Sequence, residues 1–213
     1  MRDTITTDIL EKWLRAWTLS RVLSPPIKYR SGYKVDVGYE HHKTRYVFPK
    51  VNEDFIQLAK EIKESGIFLK ACASPEEIIN VIPAHWTLQP QGYMMSCDSP
   101  MNIPQVNLPE GYIIDFESYN STVHVKVYSN KGDLAASGRI VLVEDLAVFD
   151  RIITEESHRR KGLATIVISK LEQIAMAKGV YSNLLVATES GRLLYQSLGW
   201  HICSLYTSVV IAK

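Results

Sequence analysis

The chain has little cysteine. Cys72, Cys97 and Cys203 are an odd number, far apart and without CxxC spacing. A disulfide framework and a cysteine-rich zinc site are therefore excluded, and a reducing, cytoplasmic setting is expected. Charge of one sign is equally scarce, since 24 lysines and arginines face 23 aspartates and glutamates. No broad basic field is available to hold nucleic acid, so no nucleic-acid partner is expected. Long apolar runs are missing too. None reaches the roughly 18 residues a membrane span needs, and the first residues lack the apolar core of a signal peptide. Neither a membrane partner nor a metal site is expected. The adjacent His41 and His42 would alternate faces on an extended chain and are read as surface residues.

What is present, over 213 residues, is enough for one large domain or two small ones. Leu10, Trp13, Leu14, Trp17 and Val22 recur at helical spacing after Thr7 or Asp8, until Ser24-Pro25-Pro26 stops the helix. Strands are expected over 33–37 and 45–48, a helix over 53–65, a strand over 67–73, a helix opening at Pro75, and strands over 86–88 and 92–97. Residues 98–110 carry prolines, asparagines and little periodicity, which marks a boundary between units at 1–104 and 105–213. Beyond it lie four strand-like runs, with Asn130-Lys131-Gly132-Asp133 as a hairpin turn. Then come a helix ending at Lys178-Gly179, a strand, a short helix and a terminal strand or strand pair. That order is an α/β (α+β) arrangement around a mixed sheet.

Between the fourth of those strands and the long helix stand Arg159, Arg160, Lys161 and Gly162. The first N–H groups of a helix have no partner within it, and its dipole places positive charge there. A glycine lets a ligand approach the backbone, so this turn suits a phosphate or diphosphate group. Asp150, on the strand leading in, is costly among apolar neighbours unless it is paired or chemically active. Arg151 or Arg139 could neutralise it. Otherwise Asp150 is the candidate general base, with Glu144, Asp145, Glu156 or a water relay as alternatives. His124 reads as a structural histidine and His158 as a solvated turn residue.

The spacing Arg159-x-x-Gly162-x-Ala164 resembles the R/Q-x-x-G-x-G/A loop of the GNAT superfamily of acyl-CoA-dependent N-acyltransferases. Downstream, Thr188 to Trp200, with Leu194-Tyr195 and Leu198-Gly199-Trp200, resembles that family's N-x-x-A-x-x-L-Y-x-x-x-G-F segment. The resemblance covers about residues 111–213. It implies a GNAT-like mixed, mostly antiparallel sheet flanked by helices. It implies acetyl-CoA as acyl donor, held by Arg159, Arg160, Lys161, Gly162, Leu163, Ala164 and Thr165. Backbone of Ile152, Ile153 and Thr154 would polarise the thioester, and Tyr195 would protonate the departing thiolate. Thr188 stands where the family often has an asparagine that contacts the cofactor arm. The pair of helices usual between the first two strands of the family is missing.

Shifting the first half by 114 positions places Ala73 on Ala187, Ile79 on Leu193, Trp86 on Trp200 and Leu88 on Ile202. The expectation is a degenerate tandem repeat whose first half has lost the cofactor loop. Where the second half has its basic turn, the first has Pro49-Lys50-Val51-Asn52-Glu53-Asp54, and Val81 stands opposite Tyr195. The functional expectation is an N-acetyltransferase acting on a small-molecule amine. The alternative is a non-catalytic acyl-CoA-binding or protein-interaction module, and both monomer and homodimer are left open.

Overall fold

The structure is a computed structural model that describes residues 5–211. The first unit runs α1 (Thr7–Ser20), β1 (Ile27–Tyr29), β2 (Gly32–Tyr39), β3 (His42–Phe48), α2 (Glu53–Glu61), β4 (Ile67–Ala71), α3 (Pro75–Ile79), β5 (Trp86–Leu88) and β6 (Gly92–Cys97). The second runs β7 (Tyr112–Tyr119), β8 (Thr122–Ser129), β9 (Leu134–Val143), β10 (Leu146–Thr154), α4 (Leu163–Ala177), β11 (Ser182–Ala187), α5 (Glu189–Ser197) and β12 (His201–Ile211). Pro75 opens α3, where its missing N–H is no loss, and Ser74 with Glu77 forms a capping box. The cap of α1 is Thr6, neither Thr7 nor Asp8 as expected.

One mixed sheet carries both units, in the order β1-β2-β3-β4-β12-β6-β11-β10-β9-β8-β7, with β5 also on β12. Its pairs are antiparallel except β3 with β4 and β10 with β11. The tandem repeat is visible in the register. Thr87 pairs with Val210, and His201 and Ser96 pair at the positions related to these by the 114-residue shift. The halves exchange strands: β6 of the first lies beside β11 of the second, and the end of β12 lies beside β4. The expected terminal strand is thus a single strand that serves both halves. The segment 98–110 carries no regular element apart from turn residues, as its composition indicates.

α1 sits against one face of this curled sheet. Leu10, Trp13, Leu14 and Trp17 share a core with Val35, Val37 and Val47 of the first half and with Val141, Leu146 and Val148 of the second. Each such side chain contributes roughly 1.5–3 kcal/mol on burial. α1 of the first half thereby covers β9 and β10 of the second on that face. α4 covers the other, packing Ile166, Val167 and Leu171 over β8, β9 and β10. Gly138 permits that close approach, since a Cβ there would stand 2.6 Å from Val167 Cγ1. Among the described residues no helix is long and apolar enough to cross a membrane.

Candidate active site

The site begins where two neighbouring strands part. β10 and β11 pair in parallel from Leu146–Ser182 to Val148–Leu184 and then separate. Beyond that point β10 carries a bulge against β9 between Asp150 and Ile153, with Arg151 at φ +52°. A bulge frees backbone groups from the ladder and turns them outward. Ile152, Ile153 and Thr154, expected to face the thioester, lie in and after this bulge. Ile152 leans toward α4, 3.0 Å from where a Gly138 Cβ would stand, whereas Ile153 is half exposed. The Thr154 carbonyl accepts a hydrogen bond from Arg159 Nε at 3.3 Å.

The chain then makes a 3-10 turn over Glu156–His158 and enters α4 through Gly162, at φ +76°. A side chain is strained in that conformation, and a Cβ would stand 3.0 Å from Val106 Cγ1. Because glycine has no side chain, the helix start has no side-chain cap, and its first turn holds no acidic residue. Leu163, Ala164 and Thr165 supply its first N–H groups, and the first intrahelical bond runs from Ile166 N to Gly162 O. Arg159, Arg160 and Lys161 are exposed around it. Arg160 is in the left-handed region, at φ +63°. Lys161 Nζ donates to Tyr112 Oη at 2.9 Å, and His158 Nδ1 lies 2.8 Å from the same oxygen. The loop is therefore moored to β7, and His158 is not the free turn residue expected.

Tyr195, on α5, is 8% exposed and packs edge-on against Trp200, which in turn meets Phe149 of β10. Burial first, and the nearby Asp150 carboxylate second, push its phenol well above the usual tyrosine value. It stays protonated at neutral pH, the state a proton donor requires. Thr188 is the N-cap of α5: its Oγ1 accepts from Gly191 N at 3.2 Å and lies 3.2 Å from Ser190 Oγ.

Asp150, the expected base, is engaged on both oxygens. Ser20 Oγ donates at 2.5 Å, and Arg21 donates through Nε at 3.1 Å and NH2 at 2.8 Å. With three donors on it, the carboxylate is anchored to the end of α1. The neutralising partner is Arg21, the residue that caps the end of α1, not Arg139 or Arg151. Arg139 instead donates to Ser20 O at 2.9 Å, as does Tyr119 Oη. His124 is a structural histidine beside Glu117, as expected. His42 is half-buried and not a free surface residue: its ring lies tilted against Phe68, and burial beside Arg45 lowers its pKa to about 3.

Two further cations escaped the sequence reading. Arg45 is buried over the Trp17 ring, 3.6 Å from its centroid, and burial lowers its pKa to about 10. Lys70 is buried on β4, donating to Ser208 Oγ at 2.7 Å. Lys70 interrupts an apolar strand much as Asp150 does, so the same signal would have found it.

Parted strands, a bulge and an uncapped helix start belong to a known class. Residues 93–200, half of the chain, match the model of the Acetyltransferase (GNAT) family, and the chain belongs to that family. A GCN5-related N-acetyltransferase from Kribbella flavida is similar over 99% of this chain and 96% of its own, with TM-score 0.66 and 14% identity. A GCN5-related N-acetyltransferase-like protein from Streptococcus suis covers 92% of each chain at TM-score 0.62 and 14% identity. A tandem GNAT protein from the clavulanic acid biosynthesis pathway covers 74% of this chain and 68% of its own, at TM-score 0.55 and 13% identity. In sequence, the uncharacterized protein YyaT of Bacillus subtilis (strain 168) is 33% identical over 81 residues. That match covers 38% of this chain and only 54% of YyaT, so the chain spans about half the length of that curated relative.

Proposed function

We propose that this protein is an N-acetyltransferase that moves the acetyl group of acetyl-CoA to the amine of a small acceptor. The observation that carries it is the uncapped, cation-flanked start of α4 lying directly after the bulged end of β10. Oriented N–H groups and nearby cations fit a diphosphate, and the chain offers no acidic side chain in that helix turn to compete. When bound, acetyl-CoA supplies an activated acetyl group. Backbone from Gly162 to Thr165, with Arg159, Arg160 and Lys161, would hold its charged end. Backbone N–H groups from Ile152 to Thr154, in and after the bulge, would face the carbonyl. Tyr195 Oη holds the proton that the leaving sulfur needs. Asp150, fixed by Ser20 and Arg21, acts by its charge, and the proton of the amine leaves through water. Thr188 supports the cofactor arm from the end of β11 by capping α5.

Calorimetric titration with acetyl-CoA, followed by thiol release across a panel of amines, tests this reading. Saturable binding with amine-dependent release is expected, and no binding at millimolar acetyl-CoA overturns it. A non-catalytic acyl-CoA-binding or protein-interaction module is the second reading. It is favoured by one observation, the engagement of Asp150 by three donors. Saturable binding without release from any amine supports that reading instead.

A further inference from the structure

A cavity of about 650 Å³ opens between the two halves, and its wall includes Lys70 of β4, Gln91, Tyr206 and Ser208 of β12, Thr188 and Glu189. It adjoins the end of β11, the strand whose parting from β10 opens the candidate active site. Its size suits a small organic molecule. The charge on its wall is not balanced. Lys70 is 8% exposed, donates to the neutral Ser208 hydroxyl, and lies 4.8 Å from the Phe68 ring centroid and 5.6 Å from that of Tyr206. Among the described residues no carboxylate stands within ion-pair distance of it. The charges that reach it are both positive, those of Arg45 and Arg21. Asp150 pairs with Arg21 and does not line the cavity. Glu189, the carboxylate on the cavity wall, is ion-paired with Arg192.

A buried lysine nitrogen is costly to protonate without a counter-charge, and once protonated it has three donors, of which Ser208 takes one. We propose that this cavity holds an anionic group of the acceptor, so that the substrate is an amine that also carries a carboxylate or a phosphate monoester, with Lys70 as its counter-ion. The proposal rests on the acetyl-transfer reading for the fate of the amine, but the anion site is defined without it. Burial and the two arginines hold the Lys70 pKa far below its usual value in the absence of an anion. A bound anion would reverse that and draw a proton onto the site.

The test is calorimetric binding of matched pairs to the full chain without acetyl-CoA: L-leucine against L-leucinamide, L-phenylalanine against L-phenylalaninamide, and phosphoethanolamine against ethanolamine. The anionic member of at least one pair is expected to bind about tenfold tighter or more, the worth of one charge-assisted hydrogen bond. The amino-acid pairs report a carboxylate and the third pair a phosphate. Lys70→Met should abolish the preference and Lys70→Arg should restore part of it, with the wild-type pairs deciding if a variant fails to fold. Equal affinity within every pair, no binding by any member, or a preference that survives in Lys70→Met overturns the proposal. Acetyl-CoA binding, measured separately, shows whether the transferase reading stands or falls on its own.

Discussion

The two halves start their equivalent helices in opposite ways. At α2, Asn52 Oδ1 accepts from Phe55 N at 3.1 Å, its amide donates to Ser31 Oγ at 2.9 Å, and Glu53 and Asp54 fill the first turn. The exposed donors are answered from within, and the local charge is negative. At α4, glycine replaces the capping residue, cations replace the acids, and the donors are left for something outside the chain. Similar folds thus yield one self-contained helix end and one that is open to an anion. The difference lies in about six residues, and the surrounding sheet need not change.

The comparison can be broken most forcefully at Tyr195, where the first half has Val81. Tyr195→Phe should lower kcat about a hundredfold or more, the usual weight of a positioned acid. Its acetyl-CoA affinity should stay within about twofold of wild type, because the ring remains. An unchanged kcat removes the phenol from the reaction. Next, Arg159→Ala with Lys161→Ala should weaken acetyl-CoA binding about tenfold or more, at ~1.5–3 kcal/mol per charge-assisted contact. Lys50→Ala, at the matching turn of the first half, should leave calorimetric affinity where it was. Equal effects at both turns would erase the contrast.

Smaller changes concern stability. Asp150→Ala strands the Arg21 guanidinium against α1 and should cost about 2–3 kcal/mol in urea unfolding. If Asp150 were a free base and not an anchor, turnover would fall with no loss of stability. Smallest of all, Asn52→Ala should destabilise the fold by about 1 kcal/mol through loss of the α2 cap. Acetyl-CoA affinity should not follow, since that helix end is closed already.

The readable parts of this molecule were those written in local pattern. The strand ending at Thr154 and the cations before Gly162 are neighbours in sequence, and Tyr195 sits within a second local motif that runs on to Trp200. Pro75, Asn130-Lys131-Gly132-Asp133 and Lys178-Gly179 punctuate the chain where composition places them. What stayed hidden depends on partners far apart. Arg21 meets Asp150 across 129 positions, and Lys70 meets Ser208 across 138. No window of sequence holds both members of either pair. The strand exchange was hidden for another reason: residues of β6 and β12 have the same alternation whichever half they join, so pattern predicts the strands but not their neighbours.

Because β6 and β12 each complete the sheet of the opposite half, the loop between the units is not a place where the protein can be divided. A chain cut within residues 98–110 would give two fragments, each with its last strand separated from the rest of its sheet by a gap. Each fragment carries the strand that fills the other's gap. Separately expressed, they should be insoluble or unfolded, and mixed they should reassemble. Heating should melt both halves together in one transition, although the sequence reads as two copies of one unit.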